Sequence, residues 1–284
     1  MMTYVLNYKP FFLLSFSVIF LEQLFSNNSG LSVLVFAIIL LIGGLPHGAL
    51  DFYILKNIFK MKSFVFSLSA YLLIAVTFYI LFFLFPKFVF IFFLIYSAFH
   101  FGDSDFKDES QISKLGWGSL IICIPLAVDI NNAEWFLNIF LNNQINLNNN
   151  YLITIIALSL ALSFSSRKKI FLKLLLICVY ASTCLFSNIF YGFAAYFAGL
   201  HSVHHFKEWK SNINNEPFIG LAIITALSTF VVLMQLSFEV LPYPIFLTGI
   251  NEEIIYNVII LLGSLTIPHM ILINRAESLK KLNL

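Results

Sequence analysis

The sequence predicts an all-α integral membrane protein of about ten transmembrane helices in one bundle, a single polytopic membrane domain over residues 1–284 with cytoplasmic N- and C-termini. Three observations predict it. First, 60% of the residues are hydrophobic and only 11% are charged, against about 25% charged in an average soluble domain. Second, apolar runs near the about 20 residues needed to cross a bilayer recur from end to end. Third, basic residues sort to alternate loops, as they do when positive loops stay in the cytoplasm. A formal net charge of +2 gives no reason to expect a nucleic-acid partner.

The candidate spans are taken in order along the chain. The first, roughly 11–25, is short. The N-terminal MMTYVLNYKPFFLLSF lacks a small-residue cleavage site, so it reads as an uncleaved span. The second, 31–55, carries GGLPHGALD, where Pro46 is expected to kink the helix. The third and fourth are 63–85 and 88–106, the latter ending in SAFHFGDSDF. The fifth, 113–130, contains Pro125. Residues 131–150 form a polar loop whose amphipathic stretch AEWFLNIFL is expected on the membrane surface. The remaining spans are 151–166 (short), 170–187, 189–208 with GLHSVHHF, 217–238, and 252–274 with TIPHM. Cys123, Cys178 and Cys184 all fall in apolar runs and read as buried small hydrophobes. Ten spans with the N-terminus inside put fifteen of the sixteen basic residues on the inner side, leaving Lys87 outside. A wrong count would scramble this sorting, although merging or dropping spans in pairs would preserve it.

The six histidines are His47, His100, His201, His204, His205 and His269. Each falls late in an even-numbered span. At the helical rise of 1.5 Å, His100 and His201 lie about 18 Å from the outer end of their spans, and His47, His205 and His269 about 24–26 Å. All therefore sit in the cytoplasmic half of the bilayer. Ionisable side chains in a membrane are costly and mark function. One such histidine is explained by a helix–helix hydrogen bond; four helices each placing one at similar depth point to a shared metal ion. His201 and His205, four residues apart, share a helix face, while His204 points about 60° to the other side and is the weaker candidate, for an outer position. Gly43, Gly44 and Gly48 permit close approach of a backbone or a ligand. Asp51, four residues after His47, is either the acceptor that orients that imidazole or a plain interfacial charge. Asp103 and Asp105, after His100, are either ligands or a solvated helix end. His269 is a partner of the site.

Three segments carry a resemblance: PHGALD at 46–51, FHFGDSD at 99–105 and GLHSVHH at 199–205. In order and spacing they resemble the signature segments of the Brp/Blh family, membrane-bound β-carotene 15,15′-dioxygenases of microbes that make retinal for rhodopsins. TIPHM at 266–270 fits less firmly. The resemblance implies Fe(II)-dependent cleavage of the central double bond of β-carotene with O2, giving two all-trans-retinal. It carries the four metal-binding histidines over to His47, His100, His201 and His205, and assigns no role to His204 or His269. It also implies a functional link to a microbial rhodopsin as retinal acceptor; together with the depth count, the expectation is a multi-pass protein of the inner (plasma) membrane with its metal site towards the cytoplasm.

Imidazole-held iron with open positions binds O2. A hydrocarbon without a polar handle has to be positioned by shape, in a tunnel entered from the lipid. Tyr96, Phe99, Phe101, Tyr191, Phe193, Tyr196 and Phe197 flank the histidines and are candidates for its lining; ordinary packing is the alternative for each. Two rival classes remain. HSVHH also reads as the histidine box of membrane di-iron desaturases and carotenoid hydroxylases, but those need about eight histidines in three clusters, and this chain has six. A haem-binding electron carrier or a transporter would instead want axial histidine pairs or paired charges near the midplane.

Overall fold

The computed structural model describes residues 7–25, 29–59, 61–141, 145–210, 218–238, 243, 247 and 249–282. All regular structure among them is helical: α1 (Lys9–Phe25), α2 (Ser29–Ile39), α3 (Leu45–Ile58), α4 (Met61–Leu84), α5 (Pro86–Asp105), α6 (Gln111–Val128), α7 (Ile130–Leu141), α8 (Asn149–Ser163), α9 (Ile170–Phe186), α10 (Ile189–Tyr196), α11 (Ser202–Lys210), α12 (Phe218–Phe238) and α13 (Ile250–Leu282). A π-helical turn, Leu40–Gly44, joins α2 to α3, and a second, Phe197–His201, joins α10 to α11. Each of the ten apolar segments expected from the sequence coincides with a helix or a helix pair joined this way.

Among the described residues, five helices are long and apolar enough to cross a membrane: Gly30–Ile58, Ser63–Leu84, Pro86–Asp105, Gln111–Val128 and Ile250–Leu279. Asn149–Ser163, Ile170–Phe186 and Ile223–Phe238 are apolar but shorter. The outer surface is greasy. Phe16, Phe66 and Phe88 are about three-quarters exposed, and many other Leu, Ile and Phe side chains share that exterior. Water would not tolerate such a surface, whereas lipid does. The chain is a membrane protein.

Local chemistry explains the turns that matter. Pro46 has no N–H to give a helix interior; it enters α3 in the first turn, where none is needed, directly after the π-helical turn. Here the expected kink takes the form of a change of helical pitch. The two π turns pack on each other through small residues. A Cβ added to Gly43 would lie 2.5 Å from Ala198 Cβ, and one on Gly44 would lie 2.4 Å from the Phe197 ring. Helices α5 and α6 close in the same way on either side of His100. An added Cβ on Gly118 would meet the Ala98 carbonyl oxygen at 1.7 Å, and one on Gly102 would meet that of Lys114 at 1.9 Å. The amphipathic α7 turns Leu137 and Phe140 into the protein, with Phe140 stacked on Phe90 at 4.1 Å between centroids. Its apolar face is therefore covered by protein.

Candidate metal centre

Helices α5, α11 and α13, with the π turn before α11, bring four imidazoles together. His100, His201, His205 and His269 are all buried. His100 Nε2 and His201 Nε2 are 3.1 Å apart. Ring centroids lie 5.2 Å apart for His100 and His269, and 4.8 Å apart for His205 and His269. The Nε2 atoms of His205 and His269 are buried as well.

Two carboxylates stand behind this cluster. Asp105 faces His201 Nδ1 at 3.2 Å and also accepts from Trp117 Nε1–H at 3.0 Å and from the Tyr196 hydroxyl. Asp51 faces His269 Nδ1 at 2.8 and 2.9 Å and accepts from the Tyr71 hydroxyl at 2.7 Å. Each arrangement is a Tyr–Asp–His chain. A carboxylate at Nδ1 holds the proton on that nitrogen and leaves the Nε2 lone pair for a metal.

The donor set fits a metal. Two nitrogens, each about 2.0–2.1 Å from one ion and at right angles to each other, are about 3.0 Å apart, close to the His100–His201 spacing. The same spacing also fits an N–H···N hydrogen bond with His100 as donor, so the charges decide. Asp51 and Asp105 are 2% and 9% exposed. Nearby lysines are engaged in ion pairs elsewhere: Lys114 with Asp103, Lys173 with Glu109, and Lys107 with Glu208 and Glu277. A divalent cation among the imidazoles would balance the two buried carboxylates. Asp51, His205 and His269 each offer a donor atom within 4.8 Å of the others. Because the Asp51 oxygens already accept from His269 and Tyr71, orientation is the role this geometry gives it.

The structure sorts the residues singled out from the sequence. His100, His201, His205 and His269 are brought together. The side chain of His47 lies outside the described residues; its backbone stands on α3, one turn before Asp51. Asp51 serves His269, 218 positions away. Asp103 turns to Lys114 at 2.8 Å, and its neighbour Asp105 takes the position behind an imidazole. His204 packs edge-on to Tyr8, 4.7 Å between centroids. Among the aromatics, Phe101 lies 5.0 Å and Phe197 5.5 Å from the His201 ring. Phe193 stacks on Phe197, Tyr191 is fully buried and Tyr196 holds Asp105. Tyr96 stacks on Phe92, and Phe99 is half exposed on the outside of α5. Tyr71 and Trp117 were not foreseen. Tyr71 sits in a plain apolar run with no local signal, whereas Asp105 lies within the FHFGDSD segment itself.

A small cavity of about 20 Å³ touches His100 and His205 and is bordered by Asp103, Lys107 and Glu277. That is room for about one water. Lys107 bridges Glu208 (2.6 Å) and Glu277 at its mouth. Burial opposes its charge, but the hydrogen bonds that it donates to those two carboxylates outweigh burial and raise its pKa above the ordinary lysine value.

The sequence profile of the β-carotene 15,15′-dioxygenase family matches residues 36–276. A curated β-carotene 15,15′-dioxygenase from uncultured marine bacterium 66A03 is 28% identical over 257 residues, covering 81% of this chain and 89% of that protein. No solved structure matches. The matched stretch contains every residue of the histidine cluster, and on that extent the chain belongs to the β-carotene 15,15′-dioxygenase family.

Proposed function

We propose that this chain uses one ferrous ion and O2 to split the central 15,15′ double bond of β-carotene, releasing two all-trans-retinal. The observation that carries the reading is a buried run of neighbouring imidazoles, His201, His100, His269 and His205, backed by two carboxylates, in a member of this family. His47, one turn before Asp51 on α3, joins His100, His201 and His205 as a ligand, with His269 a further donor. Bound ferrous iron supplies open positions and electrons for O2. The residues do the rest. Asp51 and Asp105 keep protons on the Nδ1 atoms and fix the ring planes. Phe101 and Phe197 pack on His201 and keep water from its ring, which protects a reactive oxygen species. The site lies towards the cytoplasmic face of the plasma membrane, and retinal leaves for a microbial rhodopsin.

The test is expression in a host that makes β-carotene. Cells should bleach and yield retinal, identified by chromatography. Cells that keep their colour, with the protein present in the membrane, would refute the reading.

A further inference from the structure

Between α3, α4, α12 and α13 lies an apolar cleft of about 470 Å³. It shares a wall with the histidine cluster, because Asp51 and Tyr71, the side chains behind His269, line it. None of the seven aromatics singled out from the sequence does. Along α4 the lining climbs from Leu68 past Tyr71 and Ala75 to Tyr79, about 16 Å at the helical rise. On its rim Leu72, Val76, Leu227 and Val231 are exposed, so the cleft opens sideways between α4 and α12, where lipid would be. Its polar side chains are few: Asp51 and Tyr71 at the metal end, and the Ser264 and Tyr79 hydroxyls. Such a cleft recognises shape and length, not hydrogen bonds.

Gly48 stands in this wall, one residue after His47 and inside α3. Other glycines of the site are demanded by a neighbour: a Cβ on Gly43, Gly44, Gly102 or Gly118 would collide. A Cβ on Gly48 would meet nothing within 4 Å. A glycine inside a helix is less stable than an alanine, so packing gives no reason for this one. We propose that Gly48 is kept bare for the substrate: one polyene arm of the carotenoid lies in this cleft, entering from the lipid between α4 and α12, and passes the metal across Gly48, which sets what fits. The occupant's identity rests on the carotene-cleavage reading above; the clearance does not.

The experiment uses the full chain in detergent, with Gly48→Ala, Gly48→Leu and, one turn along the cleft from Tyr71, Ala75→Phe. Three quantities are measured: thermal midpoint, bound iron, and binding of β-carotene followed by the shift of its visible absorption in the iron-free protein. Gly48→Ala should raise the thermal midpoint yet weaken β-carotene binding several-fold. Gly48→Leu and Ala75→Phe should abolish binding while iron content stays at the wild-type level. Wild-type binding in Gly48→Leu, or no binding of β-carotene by the wild type, overturns the proposal. A wild type that binds but yields no retinal overturns the cleavage reading and leaves the cleft assignment standing.

Discussion

Replacing Asp51 with asparagine keeps the shape and removes one charge. In the native site Asp51 accepts from His269 Nδ1 at 2.8 Å and from Tyr71 O–H at 2.7 Å. Hydrogen bonds to a charged partner contribute about 1.5–3 kcal/mol, and neutral ones about 1. An asparagine has one oxygen for two donors. If the oxygen turns to His269, the amide NH2 faces the Tyr71 hydroxyl. If the NH2 turns to His269, the imidazole must shift its proton to Nε2, and the lone pair aimed at the metal is lost. Either way an outer partner is removed, which typically costs 10–100-fold in metal affinity, about 1.4–2.7 kcal/mol. The assay is titration of the iron-free protein with Fe(II), and with Co(II) as a spectroscopic reporter of ligand geometry. Asp51→Asn should bind each ion 10–100-fold more weakly and give an altered cobalt visible spectrum. Affinity within about twofold of wild type and an unchanged spectrum would refute the assigned role, because the Asp51–His269 pair would then not bear on the ion.

Alanine at His100, His201 or His205 should abolish retinal formation and lower bound iron in the purified protein. His204→Ala should keep both, since His204 packs against Tyr8; equal loss at His204 would mean the cluster is wrongly composed. Lys107→Ala should reduce thermal stability by about 1 kcal/mol or less, because its partners are partly exposed and such pairs contribute little. The sign follows from its raised pKa: the contribution is complete below the unfolded lysine value of about 10.4 and fades as pH rises through the higher folded value. The gap between wild type and variant should thus narrow in melts above about pH 10.5.

Much of the fold is legible in the sequence because lipid imposes one simple demand, long apolar helices with satisfied backbones, and that demand is written locally. The convergence of His100, His201, His205 and His269 is legible for a related reason: depth along a span is a count of residues. What crosses between helices is not. Asp51 lies four residues after His47, and local periodicity can pair it only there; its contact with His269 on α13 comes from packing. Asp105 likewise meets His201 from 96 positions away. The glycines divide for the same cause. Gly43 and Gly44 answer to Ala198 and Phe197 on another helix, while Gly48 answers to open space, and nothing within the segment GGLPHG distinguishes the three. Among the described residues, five of the ten expected spans reach full crossing length; shorter apolar helices such as α8 and α9 have to be read from their packing, which a hydropathy window does not see.

The arrangement of charge ties these pieces together. Burying a carboxylate without a counter-charge costs several kcal/mol, and the site buries two. The two Tyr–Asp–His chains approach the cluster from different helices, α3 and α4 on one side, α5 and α10 on the other. With neutral imidazoles, the pair supplies two negative charges, and a divalent ion cancels them. If that balance governs affinity, removing both charges should do more than removing either. Asp51→Asn and Asp105→Asn should each cost 10–100-fold in metal affinity, and the double variant about 10²–10⁴-fold if the losses add. Both act on one ion, so coupling between them is expected and its sign is informative. A double variant no weaker than the worse single variant would mean that only one carboxylate balances the metal and that the other serves to hold Tyr71 or Trp117 in place.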